Sequence, residues 1–191
     1  DYNLREEIFR AIGHQRCMEQ APTWIVICAD LARQLELFEV LGVKTEFGPL
    51  GKLIPSIVDS VLAAQNMVVA AEALGLGTVF IGSVWDSMKK IAEILKVPNN
   101  VLPILILCLG YFDETPPTRP RWPLRAVLHE NSYTMPSKKL MKEYYQRANN
   151  ELIKMNYFSK GIMNWAEHWQ NKFDPKYVED WEKNLKKDLQ E

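Results

Sequence analysis

The sequence has little cysteine, little net charge and no long apolar run. Its three cysteines are far apart and odd in number, which excludes a CxxC metal motif and a disulfide framework: Cys17, Cys28 and Cys108. This usage is typical of small buried hydrophobes in a reducing cytoplasm. The formal net charge of −1 gives no reason to expect nucleic acid or an anionic membrane as a partner.

Targeting, membrane and metal signals are also missing. The longest apolar run, residues 101–112, is shorter than the roughly 20 residues of a membrane-spanning helix. No secretory signal is apparent. The chain begins at Asp1 without an initiator Met, so we expect that an N-terminal segment has been removed or left out of this sequence. The histidines at 14, 129 and 168 lack the spacing of metal ligands.

What is present is an ordinary soluble globular composition, 47% hydrophobic and 25% charged over 191 residues. The alternation of helical and strand-like segments along the chain favours a mixed α/β domain. Residues 113–136 form a proline-rich excursion, and 46–51 a loop. Apolar periodicity predicts strands over 23–29, 77–82 and 101–112, and helices over 4–13, 30–41, 52–74, 84–95 with Ser83 as N-cap, 137–156, around 165–169, and from Pro175 with Asp174 as N-cap.

The helix predicted over 52–74 is apolar nearly all round, with Pro55 in its first turn. Such a helix is buried on most sides, in a core or against another subunit. Gln65 and Asn66 lie inside it, and they need hydrogen-bond partners if they are buried. We expect this helix to form the core of a dimer interface.

Three glycines lie in the stretch GLGTVFIGSV, residues 75–84. The spacing differs from the GxGxxG dinucleotide fingerprint, and the Gly-Lys-Ser/Thr ending of a phosphate-binding P-loop is missing. Gly75 is placed to end the preceding helix as a C-cap. Gly82 lies between a strand and a helix, where a residue without Cβ lets a flat group approach the backbone closely.

Five motifs in order give the sequence a family resemblance: an AAQN helix, a GLG turn with a later IG, an apolar strand ending in Leu-Gly, an RPR element and HENSY. Over residues 4–133 it resembles the FMN-dependent nitroreductases, and among them the bacterial flavin reductases and oxygen-insensitive nitroreductases that use NAD(P)H. The resemblance implies an α+β fold, with a mixed, mainly antiparallel sheet flanked by helices. It divides the chain into a flavin-binding core, 1–135, and a C-terminal helical extension, 136–191.

The resemblance implies FMN as the cofactor, bound between the subunits of a homodimer. In the family an Arg/Lys-Pro-Arg element binds the FMN phosphate, which here assigns Arg119 and Arg121 around Pro120. Two cations on a proline-stiffened loop suit a phosphate dianion. From the residues alone, a solvated basic loop is the equal alternative.

The ring contacts follow in the same way. Gly82 occupies the position whose backbone N–H points at flavin N5, with Phe80 and Ser83 beside it, where many relatives have tyrosine and a second glycine. Gln15 matches a family glutamine whose side chain reaches the flavin. An exposed glutamine without a ligand is the alternative for that residue.

The implied activity is reduction of nitroaromatics, quinones or flavins by NAD(P)H in a ping-pong mechanism. The flavin carries the chemistry, so we expect no catalytic acid–base pair and no metal. Lys160 is the candidate for an NADPH phosphate, and NADH and NADPH both stay open. Family members begin with a basic segment that this sequence does not contain. The alternative is therefore a degenerate relative that binds a ligand or partner without redox turnover.

Overall fold

The structure is a computed structural model that describes residues 2–13, 15–44, 48–112, 117–158 and 162–190. The chain divides into two compact units, Asp1–Asp113 with Lys183–Glu191, and Glu114–Glu182. The division expected after residue 135 stays a prediction.

The first unit contains a three-stranded sheet and most of the helices. Its elements are α1 (Tyr2–Ile12), α2 (Arg16–Gln20), β1 (Thr23–Asp30), α3 (Ala32–Val40), α4 (Pro49–Ala73), β2 (Gly77–Ile81), a 3-10 turn (Ser83–Asp86), α5 (Met88–Leu95) and β3 (Val101–Gly110). The second unit contains a 3-10 turn (Leu124–Ala126), α6 (Lys138–Lys154) and α7 (Trp165–Lys172), and α8 runs from Pro175 to Gln190.

β3 is the central strand, with β1 and β2 antiparallel on its two sides. The register with β1 shifts where Cys28 pairs with Pro103. Proline has no N–H to donate to the ladder, so a bulge at this point is expected. Among the described strands the sheet is antiparallel throughout, which confirms the expected α+β class with a mainly antiparallel sheet.

Helices cover both faces of the sheet and form two hydrophobic clusters. The first joins α1, α5 and the sheet: Ile8, Phe9, Met18, Ile81, Val84, Met88, Ile91, Ile106 and Cys108. The second joins α4 and the sheet: Ile27, Ala29, Ala64 and Ile104. Burial on two faces explains why the sequence of β3 is a continuous apolar run rather than an alternating one.

The long helix α4 begins at Pro49, earlier than predicted, because proline is favourable at the first helical position. Pro55 therefore lies beyond the first turn, and the prediction that placed it there is wrong. Ser60 Oγ donates to the Cys28 carbonyl at 2.8 Å, which ties the helix to β1. Gln65 and Asn66 are exposed, so burial does not demand partners for them.

The face of α4 turned away from the sheet is apolar and exposed in this single chain: Leu50, Ile54, Val58, Val61, Leu62 and Val69. By length and composition, Leu50–Ala73 is also long and apolar enough to cross a membrane. One helix of this kind is weak evidence for a membrane protein, because core helices of soluble proteins meet the same criterion.

The N-cap prediction for Ser83 is wrong. Ser83 begins a 3-10 turn that ends at Asp86, and α5 begins only at Met88, after Ser87. Val84, within the turn, is completely buried, so core packing holds the chain there in a tighter turn than an α-helix. Gly75 does end α4 as predicted, with a φ of +78°.

Candidate functional site

The connection between α1 and α2 meets the connection between β2 and α5. Gln15 Nε2 donates to Ser83 Oγ at 2.9 Å. Ser87 Oγ donates to the carbonyl oxygen of Ala11 at 2.7 Å. The two bonds join segments that are far apart in sequence, and they hold the 3-10 turn at both of its ends.

Local contacts place Gln15 in this position. Gly13 follows α1 directly, and its φ of +81° turns the chain there. Arg5 then donates from Nη2 to the carbonyls of Met18 and Ala21, at 3.0 and 2.6 Å. Its guanidinium lies 4.2 Å from the ring centroid of Trp24. These contacts fix α2, and with it the residue that precedes it.

Gly82 lies directly after β2, next to Ser83, and is exposed. Its carbonyl accepts from the Trp85 N–H at 3.1 Å. Among the described residues nothing accepts a hydrogen bond from the Gly82 N–H. Apart from Gly82 and its two chain neighbours, no described residue has an atom within 4 Å of the place where a Cβ on Gly82 would stand. The backbone at this point therefore has the open space and the free donor that fit the edge of a flat ring.

Phe80 is half-buried and packs on the cluster between α4 and the sheet. Its side chain therefore contributes to the core beneath the end of β2. The assignment of Phe80, Gly82, Ser83 and Gln15 to a flavin stays a prediction, although the structure brings the last three together.

Arg119 and Arg121 belong to the second unit. The Arg119 guanidinium lies 4.9 Å from the ring centroid of Tyr157. The Arg121 carbonyl accepts from Arg147 Nη2 at 2.8 Å. Both residues are exposed, and in the described part of the chain no carboxylate forms an ion pair with either guanidinium. Two cations without anionic partners fit a phosphate.

The charge of the basic segment acts on Tyr144. Burial raises the pKa of Tyr144, the charges of Arg147 and Arg121 act to lower it, and that of Glu151 acts to raise it. The Trp122 ring stacks on Tyr144 with centroids 3.8 Å apart. An aromatic platform thus supports the basic segment from one side.

The remaining sequence candidates lie elsewhere or outside the described residues. Lys160 and His14 are not among the described residues. His129 Nδ1 accepts from the Thr134 N–H at 3.4 Å within a turn. The Nδ1 atom of His168 is buried, and none of the residues that the structure describes forms a hydrogen bond with it. The described residues contain no group of three or more potential metal ligands.

Sequence reasoning missed Ser87, Arg5 and Arg147. The side chain of each donates a hydrogen bond to a backbone carbonyl. Because every residue has a backbone carbonyl, the sequence contains no pattern that identifies the acceptor. The four-residue spacing of Ser83 and Ser87 was the one available signal, since it places a hydroxyl at each end of a short turn.

The model of the nitroreductase family matches residues 6–111. The chain belongs to the nitroreductase family. The match spans α1 to β3, and so includes Gln15 and the Gly82–Ser83 turn. The basic segment with Arg119 and Arg121 lies beyond it.

Curated relatives of this nitroreductase-family chain include two bacterial reductases. It is 33% identical over 171 residues to the oxygen-insensitive NADPH nitroreductase of Salmonella typhimurium, covering 90% of this chain and 68% of the relative. It is 32% identical over 162 residues to the FMN reductase (NADPH) of Bacillus subtilis, covering 78% and 65%. The chain thus spans about two thirds of the length of these two relatives.

Solved structures share the fold. The structure of B. megaterium NfrA2 superposes with a TM-score of 0.80 at 26% identity, covering 91% of this chain and 70% of that one. The NADPH:FMN oxidoreductase from Vibrio harveyi complexed with NAD+ gives a TM-score of 0.71 at 29% identity, covering 95% and 76%. The nitroreductase fold predicted from the sequence is therefore confirmed.

Proposed function

We propose that this member of the nitroreductase family is an NAD(P)H-dependent FMN oxidoreductase that reduces nitroaromatics, quinones or flavins. The observation that carries the proposal is the exposed backbone of Gly82, which follows β2 within the region that the family model matches. Its N–H is free, and the space next to its α-carbon is open. Relatives named FMN reductase (NADPH) and NADPH-flavin oxidoreductase support FMN as the cofactor and NADPH as a donor. We further propose that the enzyme is soluble and cytoplasmic.

The residues that would hold FMN fall into two groups. Gly82, Ser83 and Gln15 would bind the edge of the ring, with Phe80 supporting the strand end, and Arg119 and Arg121 would bind the phosphate. When bound, FMN supplies the capacity to accept a hydride and pass electrons on. The protein's contribution is then to bind, orient and exclude water, so no side chain has to act as acid or base.

The second proposal concerns the assembly. The exposed face of α4, from Leu50 to Val69, is an apolar surface that a second copy of the chain would cover. Obligate dimers bury large hydrophobic interfaces of this type. We propose a homodimer with α4 at its centre.

A spectrum of the purified full-length protein tests the cofactor first. Absorbance bands typical of bound flavin, either as isolated or after addition of FMN, are the expected result. A protein that binds no FMN would instead support the alternative, a ligand- or partner-binding relative without redox turnover.

Steady-state kinetics test the mechanism. If donor and acceptor use the same face of the flavin in turn, double-reciprocal plots at several acceptor concentrations are parallel. Comparing NADH with NADPH in the same assay decides between the two donors. Intersecting lines would indicate a ternary complex and would overturn the shared site.

A further inference from the structure

Ser83 has hydrogen-bonding capacity that the fold does not use. Its oxygen accepts from Gln15 Nε2 at 2.9 Å. In the described part of the chain no acceptor takes the proton of its hydroxyl group. A hydroxyl can accept and donate at the same time, and accepting a hydrogen bond polarises it into a better donor. The Ser83 proton is therefore available to a ligand.

Contacts on both sides of Ser83 hold the backbone that carries this hydroxyl in place. Gly82, immediately before it, has its carbonyl bound by the Trp85 N–H. Val84, immediately after it, is completely buried in the cluster with α1 and α5. Four residues on, Ser87 Oγ is bonded to the Ala11 carbonyl at 2.7 Å. A donor held in this way costs little conformational entropy when it binds a ligand.

The backbone of Gly82, the preceding residue, indicates where a ligand would lie. The Gly82 N–H is free, and the space above its α-carbon is open. A ring edge that reaches the Gly82 N–H lies one residue from the Ser83 side chain. Flavin rings carry carbonyl oxygens next to the ring nitrogens, and these oxygens become more electron-rich when the ring is reduced.

We propose that Gln15 and Ser83 form a hydrogen-bond relay that presents the Ser83 hydroxyl proton to a carbonyl oxygen of the bound flavin and favours its reduced form. This inference rests on the proposed function, since it requires FMN at Gly82. It goes beyond that function, because it assigns Ser83 the setting of the flavin's reduction potential. Where a relative has glycine at this position, the side-chain donor is missing.

The purely structural explanation is that Gln15 and Ser83 only tie the α1–α2 connection to the turn. Ser87 is the matched control for that explanation. It is also a serine, it lies in the same short segment, and its hydroxyl makes a similarly long-range bond to the last turn of α1, next to that connection. Loosening the segment is common to Ser83→Ala and Ser87→Ala, whereas loss of a flavin contact is specific to Ser83→Ala.

The experiment is a potentiometric titration of the FMN-loaded protein, with the FMN Kd measured in parallel by fluorescence. Ser83→Ala is expected to lower the ratio of affinities for reduced over oxidised FMN by about 2- to 10-fold, the worth of one hydrogen bond. For a two-electron couple this is a fall in midpoint potential of about 10–30 mV. Ser83→Thr keeps the hydroxyl and is expected to keep the wild-type potential.

Gln15 is tested by a double-mutant cycle. Gln15→Met removes the donor to Ser83 and is expected to lower the potential by less than Ser83→Ala does. The double variant should then shift the potential by less than the sum of the two single shifts, because part of the effect of Gln15 passes through the Ser83 hydroxyl. Additive shifts would show that Gln15 acts independently and would overturn the relay.

The other outcomes are also decisive. If Ser83→Ala leaves the potential unchanged, or shifts it only as much as Ser87→Ala does, the relay is overturned while the proposed function stands. If the wild-type protein binds no FMN at all, the proposed function fails and the relay fails with it.

Discussion

Gly110 lies directly against the ring of Pro22, so closely that a Cβ on Gly110 would stand 2.6 Å from Pro22 Cδ. Gly110 ends the central strand, and Pro22 precedes β1. On the other side Gly110 pairs with Gly77 of β2, where an added Cβ would meet Phe112 at 3.0 Å. Three segments thus converge at one end of the sheet with no room for side chains between them.

Gly110→Ala should therefore destabilise the fold. A methyl group at 2.6 Å from a proline ring forces the backbone apart, and overpacking of this kind costs about 1–3 kcal/mol. Urea unfolding of the two proteins measures the difference. Gly82→Ala is the control, because open space surrounds its α-carbon, and its free energy of unfolding should change by no more than about 0.5 kcal/mol. Equal losses for the two variants would contradict the packing argument.

Replacing Arg121 by alanine should weaken FMN binding by roughly 10- to 150-fold, since charge-assisted hydrogen bonds contribute about 1.5–3 kcal/mol. Riboflavin has no phosphate, so its affinity should hardly change. Arg125→Ala is the matched control, because Arg125 is an exposed arginine of the same segment. Fluorescence titration with both flavins measures the effect. An equal loss for FMN and riboflavin would show general damage to the site and not a phosphate contact.

Placing a charge on the exposed face of α4 should separate the proposed dimer. Val61→Asp puts a carboxylate at the centre of that face, and a central hot spot is worth at least about 2 kcal/mol, or roughly 30-fold in dimer Kd. Light scattering coupled to gel filtration across a dilution series gives the Kd. Leu128→Asp changes another exposed apolar residue, in the second unit, and should leave the mass unchanged. A wild-type monomer at every concentration would overturn the interface.

The buried thiol of Cys108 makes stability depend on pH in the alkaline range. Burial raises its pKa from 9.0 to about 11, and the neighbouring Cys17 acts in the same direction. Between pH 9 and 11 the unfolded chain releases this proton while the folded protein keeps it, so stability falls as the pH rises. Cys108→Ala should show a smaller loss over this range in urea unfolding. Part of the loss should remain, because burial also raises the pKa of Cys28. Identical slopes for the two proteins would contradict the assignment.

The parts of the fold that were predictable depend on local sequence. Gly75 ends α4 because a positive φ favours glycine. Pro175 begins α8, where the Lys176 N–H donates to Asp174 Oδ1 at 3.0 Å. The strands were recognisable because burial on both faces leaves an unbroken apolar run.

The start of α5 was not predictable in this way. By sequence Ser83 is a good N-cap, yet Val84 is buried in the core and the α-helix begins at Met88, four residues later than predicted. Tertiary packing here outweighs a local preference. The hydrogen bond between Gln15 and Ser83 was also not predictable, because the two residues are 68 positions apart and no periodic pattern in the sequence connects them.

The central position of β3 has a consequence for how the protein is made. β1 and β2 do not pair with each other in the sheet, and each depends on β3 for its hydrogen bonds. β3 is also the last of the three to be synthesised. Until Val101–Gly110 has left the ribosome, both earlier strands lack the partner that they share in the sheet, and exposed strand edges of this kind favour aggregation. We therefore expect translation that stalls before this strand to leave a nascent chain that is prone to aggregate.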